Sequence, residues 1–360
     1  MKIVLYILVL FAFPFSISAQ YEFTHEKEMA CTAVKSQGKT GTCWSFSTIS
    51  FLESELIRQG GKKVDLSEMY IVRNIYLDKA QNYLLRQGKA NFSQGSLSHD
   101  VMRALEMKGA VTEASYTGKR IKNTYNHSQL EKELKSLLDN AIKDKTVRAN
   151  WRKKANELLD QHMGALPSNF TAKKAMNYVE QLSINPNDYV TLTSYTHHPF
   201  YETFVLEIPD NYSNGSYYNL PIDELQTIAN HALENGFTIT WDGDVSEKGF
   251  NARQGIAVLP QDQDRADLFT TPGKELEVDQ ALRQSTFESY ATTDDHLMHI
   301  TGLAKDQNDN TYYLTKNSWG ELSLYKGFLY ISDAYFRLKT VSIMVHKDAI
   351  PETIADKLNL

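Results

Sequence analysis

One stretch of this sequence places a thiol where a nucleophile would be made. In Val34-Lys35-Ser36-Gln37-Gly38-Lys39-Thr40-Gly41-Thr42-Cys43-Trp44-Ser45-Phe46-Ser47 a glycine-bearing loop runs into a helical pattern. Trp44, Phe46, Ile49, Phe51, Leu52, Leu56 and Ile57 give broad apolar coverage from Cys43 to Arg58, and Gly60-Gly61 stops the helix. A helix with so little polar face is expected to be buried. Cys43 then sits in its first turn, among unpaired N–H groups that carry about half a positive charge, which favours thiolate over thiol. A cysteine so placed serves as a nucleophile near neutral pH. Gln37 lies close enough before it to swing an amide over the same point and donate to a developing oxyanion, with the Cys43 backbone N–H as second donor.

Other elements must hold that loop in place. Ser67 is a good N-cap for a second helix opening at Glu68, and Asp100 to Lys108 reads as a third, closed by Gly109. From Lys119 to Lys174 the chain holds 13 Lys+Arg against 6 Asp+Glu, an excess of +7. Leu130, Leu134, Leu137, Leu138 and Ile142 recur there at helical spacing, so the charge reads as the solvated face of an inserted helical subdomain. After Asn185-Pro186 the pattern becomes strand-like: Val190–Tyr195, Phe204–Ile208, Phe237–Trp241, Ile256–Leu259, His296–Leu303, Thr311–Asn317 and Gly327–Ile331. One helix, Ile222 to Asn235, interrupts them. Helices first and strands later predict an α+β fold with two lobes.

Composition narrows the function classes. The 360 residues are 42% apolar with a formal charge of −6, an ordinary globular balance that argues against a chain-wide nucleic-acid footprint. Two cysteines exclude a disulfide scaffold and a cysteine-built zinc cluster. Met1-Lys2, an uncharged run from Ile3 to Ile17, and Ser18-Ala19-Gln20 describe a secretory signal peptide cut after Ala19. That run is shorter than the roughly 20 residues a spanning helix needs, so the mature chain is expected outside the cytosol with no membrane span.

The Cys43 block resembles the active-site signature of papain-like cysteine peptidases. It departs from the pattern at Thr40, where many such enzymes carry a disulfide cysteine, and at Thr42. The resemblance implies an imidazole and an orienting amide downstream, and Asp295-His296-Leu297-Met298 with Lys316-Asn317-Ser318-Trp319-Gly320 supplies both. His296 would pair with Cys43 and protonate the leaving amine; Asn317 would hold the other ring nitrogen under the cover of Trp319. The Cys-to-His separation, 296 − 43 = 253, far exceeds the roughly 130–150 of short papain-like chains. A long helical excursion of this kind is similar to the bleomycin hydrolase/aminopeptidase C group. Ser194-Tyr195-Thr196-His197-His198-Pro199, Asn219-Leu220-Pro221-Ile222-Asp223 and Gly236 through Val245 also look like that group.

The resemblance implies a papain-like two-lobe fold, with a helical lobe (20–118), a helical insertion (119–189), a β-barrel-like lobe (190–345) and a C-terminal tail (346–360) after a signal peptide (1–19). It implies peptide substrates, no cofactor, and an assembly that is often hexameric in this group. Gly95 and Ser96, in Gln94-Gly95-Ser96, are the expected backbone contacts for an extended peptide, unless Gly95 is a plain turn residue. In the group, a C-terminal arm enters the cleft and its carboxylate captures the substrate's α-amine, a role that would fall to Leu360. This arm is shorter than the family pattern, so an open-cleft endopeptidase is the alternative, and a non-catalytic peptide-binding or adhesin-like protein ranks behind both.

Three other features call for milder explanations. His296-x-x-His299 has a metal-like spacing, but residues three apart on a strand point to opposite faces. His197-His198 reads as a loop pair and no ligand set, and no metal is expected. Cys31 could pair with Cys43 in an oxidising compartment; the favoured alternative is a small buried residue in the strand before the Gln37 loop.

Overall fold

The computed structural model describes residues 20–61, 63–118 and 122–360. The signal-peptide reading therefore lies outside the described residues. In chain order the elements are β1 (Thr24–Glu28), α1 (Cys43–Arg58), α2 (Glu68–Leu85), α3 (Ser98–Lys108), α4 (Ser128–Lys143), α5 (Lys145–Met163) and α6 (Ala172–Gln181). There follow β2 (Tyr189–Thr193), β3 (Thr203–Val205), β4 (Ser216–Asn219), α7 (Ile222–Glu234), β5 (Ile239–Gly243), β6 (Phe250–Asn251), β7 (Ile256–Ala257) and α8 (Gln280–Glu288). The chain ends with β8 (His296–Lys305), β9 (Thr311–Lys316), β10 (Phe328–Ser332), α9 (Asp333–Lys339), β11 (Thr340–His346) and α10 (Glu352–Leu358).

The strands form one mixed sheet in the order β3-β4-β2-β11-β5-β8-β9-β10-β7-β6. It is α+β as expected, but its end strands β3 and β6 do not pair, so the barrel-like lobe is an open sheet. β8 organises it. β5 covers the first half of one edge, from Gly243 opposite His296 to Ile239 opposite Ile300. Beyond Ile300, β1 takes over, with Glu28 opposite Gly302 and Thr24 opposite Lys305. A side chain at Gly302 would meet the Lys27 carbonyl at 2.3 Å, so the close approach of β1 requires glycine there.

Both faces of β8 are covered, which is why nine of its ten residues are buried. On one face lies α1, 14 of whose 16 residues are buried; Leu297 joins its core and His299 meets Ser50. On the other face Met298 and Ile300 pack with Leu225, Ile228 and Ala229 of α7. The helical insertion shares the α1–α3 core through Leu130, Leu134, Leu138, Leu159 and Met163. It is also tied by Arg73, which reaches Asp160 at 2.6 Å.

Helix ends follow the sequence closely: α1 spans the expected residues, and the Ser67 hydroxyl accepts from the Tyr70 N–H at the start of α2. Several elements were not foreseen, among them β1, β4, β11 and α8 to α10. The last of these changes the reading of the tail. Ile354 and Leu358 of α10 are buried in the same core as α7, and Lys357 pairs with Glu224 at 2.6 Å. Leu360 follows, 42% exposed on that outer face.

Candidate active site

The loop before α1 is closed by its own hydrogen bonds. Thr40 Oγ1 donates to the Gln37 carbonyl at 2.7 Å and lies 2.6 Å from Thr42 Oγ1. Thr40 thus ties the loop locally at the position where a disulfide was noted as missing. Gly38 adopts φ +63° and packs so tightly on Thr124 and Tyr125 that a Cβ would meet Thr124 Oγ1 at 2.4 Å. Trp44 Nε1 donates to the Gln94 carbonyl and the Gly41 N–H to Gln94 Oε1, both at 2.9 Å. These bonds lay the Gln94-Gly95-Ser96 turn alongside Cys43.

A second set of bonds brings in the distant Asn317 block. The Gln37 N–H donates to the Ser318 carbonyl at 2.8 Å, and the Gly320 N–H to the Lys35 carbonyl at 3.0 Å. The Ser318 hydroxyl donates to Gln37 Oε1 at 2.6 Å. Gln37 Nε2 donates one hydrogen to the Thr40 carbonyl at 2.6 Å, which fixes the amide and leaves its second hydrogen for another acceptor. Cys43 is the first residue of α1, where a helix leaves backbone N–H groups unpaired.

His296 begins β8 and is 3% exposed. Its Nε2 lies 2.8 Å from Asn317 Oδ1, and the Trp319 ring sits over it with centroids 4.5 Å apart. The next residue reaches the thiol: the Leu297 backbone hydrogen-bonds Cys43 and favours its thiolate. The fold thus gathers Cys43, Gln37, His296, Asn317 and Trp319 from three separated stretches of chain.

Electrostatics at the thiol differ from the helix-terminus expectation. Burial pushes the Cys43 thiol up to about 12, and Asp294, Asp210 and Asp242 add to the rise. Burial likewise lowers His296 to about 4, against the pull of the Asn317 bond and Asp295. Desolvation thus opposes the helix start at both groups, raising the thiol and lowering the imidazole.

Cys43 opens onto a cleft of about 340 Å³ lined also by Trp44, Gly95, Asp210, Asp294 and Leu297. Gly95 faces Asp210, whose Oδ2 lies 1.7 Å from where a Cβ would stand, so any larger residue there would push the Asp210 carboxylate aside. Ser96 lines the cleft too, but its hydroxyl is engaged by Asp100 at 2.7 Å. Leu360 is not among the lining residues, and α10 places it on the α7 face. Sequence reasoning missed the acids of the cleft. The signal was there in Asp294-Asp295, directly before His296.

The remaining candidates resolve as packing. His299 is fully buried against Ser50, with Nδ1 to Oγ 2.8 Å. Both cysteines are free, and Cys31 lies half-buried beyond the end of β1, outside any strand. His197, His198 and Glu207 place three donor atoms within 4.8 Å of one another. Gln284 argues against a metal there. Its Oε1 accepts the Thr196 N–H at 2.6 Å, so its Nε2 donates to His197 Nδ1 at 3.0 Å. The proton of His197 is thereby fixed on Nε2, the atom a metal would need bare. Among the described residues no helix is long and apolar enough to cross a membrane.

Comparison with known proteins agrees with this geometry. Residues 120–360 match the Peptidase C1-like family and residues 18–204 the papain family cysteine protease domain. Aminopeptidase C of Listeria monocytogenes is 25% identical, over 95% of this chain and 86% of its own length. Aminopeptidase G of Lactobacillus delbrueckii is 23% identical over 89% and 82%, and human bleomycin hydrolase 22% over 93% and 85%. The crystal structure of PepW from Lactobacillus rhamnosis superposes with a TM-score of 0.74 at 18% identity, covering 93% of this chain and 84% of that one. The chain belongs to the papain-like C1 cysteine peptidases, in the group that includes aminopeptidase C and bleomycin hydrolase.

Proposed function

We propose that this protein is an exported thiol aminopeptidase. Cys43 Sγ attacks the carbonyl carbon of the first peptide bond while His296 takes its proton. The imidazolium then gives that proton to the departing amine, leaving a thioester on Cys43. Water, deprotonated by the same imidazole, releases the acid. Gln37 Nε2 and the Cys43 N–H donate to the oxyanion, and Asn317 fixes the ring. The observation that carries this is the short contact from His296 Nε2 to Asn317 Oδ1, beneath Trp319 and one residue from the thiol's own hydrogen-bond donor. The aminopeptidase names of the relatives favour exopeptidase action. Export rests on the Lys2, Ile3–Ile17 and Ala19 pattern, and a hexameric assembly on the family resemblance alone.

A second reading, an endopeptidase, is favoured by one observation: α10 packs on α7, and Leu360 does not line the cleft. Hydrolysis of one peptide with a free and with an acetylated N-terminus separates the two. An aminopeptidase loses most of its rate on acetylation; equal rates identify the endopeptidase.

A further inference from the structure

A glycine at position 95 allows close approach to its α-carbon, and the chain itself takes that approach. The three atoms nearest the point where a Cβ on Gly95 would stand are Oδ2, Cγ and Oδ1 of Asp210. The carbonyls of the same turn are engaged as well. Trp44 Nε1 donates to the Gln94 carbonyl at 2.9 Å, and the buried Lys79 ammonium donates to the Gly95 carbonyl. The wall along which an extended peptide would pair is thus closed at Gly95.

Asp210 is fixed in that place. Its Oδ1 accepts from Asn91 Nδ2 at 3.1 Å and from Ser93 Oγ at 3.2 Å, and Asn91 Nδ2 also donates to the Pro209 carbonyl at 3.2 Å. The β3–β4 connection that carries it is drawn together by Asn211, whose Nδ2 donates to the Leu206 carbonyl at 2.9 Å and to the Gly215 carbonyl at 3.0 Å. The connection is also strapped to α2. Buried Tyr212 donates to Asp78 Oδ2 at 2.9 Å, and Asn82 Nδ2 donates to the Tyr212 carbonyl at 3.2 Å. The carboxylate leaves Gly95 only by breaking the bonds to its two anchors.

The side of the substrate that meets Asp210 follows from the proton transfer. The leaving amine lies toward His296, which protonates it, and Trp319 covers that ring. Trp319 does not line the Cys43 cleft, whereas Gly95 and Asp210 do, which puts the acyl part of the substrate along this turn. At about 340 Å³ the cleft is at the small end of the roughly 300–1,000 Å³ of ligand pockets.

We propose that Asp210 is a steric stop that sets the length of the substrate. Its carboxylate fills the place of the second residue on the acyl side of a bound peptide, so that one residue only is admitted before the bond that is cut. The stop rests on the peptidase function proposed above and deepens it: exopeptidase action comes from the bulk of a side chain on the β3–β4 connection, with Leu360 away on the α7 face.

Two substrates read the stop in the full-length protein: alanine nitroanilide, with one residue before the cut bond, and N-acetyl-dialanine nitroanilide, with two. The readout is kcat/KM for nitroaniline release from the longer over the shorter, a ratio that cancels any change in thiol charge. Asp210→Ala removes the three atoms over Gly95 and should raise the ratio about tenfold or more. Asp210→Asn keeps their bulk, so its ratio should stay within about threefold of wild type. An unchanged ratio in Asp210→Ala overturns the stop. An equal rise in Asp210→Asn also overturns it, because charge and not size would then select. Equal wild-type rates on the two substrates overturn the stop together with the aminopeptidase reading. If Asp210→Ala does not fold, Asn91→Ala combined with Ser93→Ala frees the carboxylate from its anchors and should raise the same ratio; no rise overturns the stop. If wild type cleaves neither substrate, it is the peptidase function that fails. Calorimetric binding of N-acetyl-dialanine amide to Cys43→Ala then decides the stop alone: adding Asp210→Ala should tighten it about tenfold, and unchanged binding overturns the stop.

Discussion

Asn317 Oδ1 receives two hydrogen bonds, one from the Ser318 backbone N–H at 2.7 Å and one from His296 Nε2 at 2.8 Å. A backbone N–H can only donate, so the atom it meets is the amide oxygen and the amide is not reversed. An oxygen acceptor then fixes the hydrogen of the neutral imidazole on Nε2. The lone pair is on Nδ1, the nitrogen left to take the proton of a thiol. One dipeptide, Asn317-Ser318, thereby sets the tautomer that the proposed proton transfer requires.

Removing that acceptor separates orientation from binding. Asn317→Ala should lower kcat by about a hundredfold, because the ring loses both its tautomer preference and its alignment. KM should change little, since Asn317 is absent from the cleft lining beside Cys43. Steady-state kinetics check this; an unchanged kcat would remove Asn317 from the mechanism.

The two cysteines should behave oppositely. Cys43→Ala is expected to abolish hydrolysis, while Cys31→Ala retains it, because Cys31 is a free, half-buried thiol beyond β1. Equal loss in both would mean that Cys31 serves the site or that the pair forms a structural bond.

Much of this site is legible before folding because the chemistry is concentrated in short blocks. Cys43 and Gln37 share one loop, and Asn317 and Trp319 share another, so their types and spacing survive without tertiary information. The helix start at Ser67 and the stop at Gly60-Gly61 were legible for a similar reason, since caps are local. What was hidden depends on the distant chain. Thr340–His346 is buried at all seven positions between β2 and β5, so it shows no alternation, and it follows α9 with no intervening loop. Asp210 sits in a polar turn after Pro209, and nothing in that turn reveals that Gly95, 115 residues earlier (210 − 95), lies beneath it. The seat of the tail is hidden for the same reason. Only the α7 surface tells that Ile354 and Leu358 have a groove to fill.

The carboxylates should be felt at the thiol. Asp210 raises the Cys43 pKa through its negative charge, so its removal favours the thiolate. In Asp210→Asn, alkylation of Cys43 by iodoacetamide at pH 7–8 should speed up about two- to fivefold. Its pH profile should also shift to lower pH. Cys31 is the internal control, because its raised pKa has burial as the main cause, with Glu28 and Glu53 as the acids that add to it. Peptide mass spectrometry after timed quenching reads both thiols at once; a slower or unchanged Cys43 would show that Asp210 does not control its charge.

Asp242 should make stability fall with rising pH. It and Asp294 share a hydrogen bond in the interior, and burial raises both above the ordinary carboxyl range. In the unfolded chain each ionises near pH 4, while the folded pair keeps its proton to higher pH. The folded state thus binds more protons over that window, and stability present at low pH is lost as pH rises through the folded-state value. Asp242→Asn removes this ionisation and keeps an acceptor for the Ser342 hydroxyl, now 3.1 Å from Asp242 Oδ2. The variant should melt close to wild type near pH 4 and above it by pH 8, by about 2–4 °C for each kcal/mol regained. Calorimetric melts across that range measure the gap; a constant difference at every pH would mean that the buried pair does not titrate with folding.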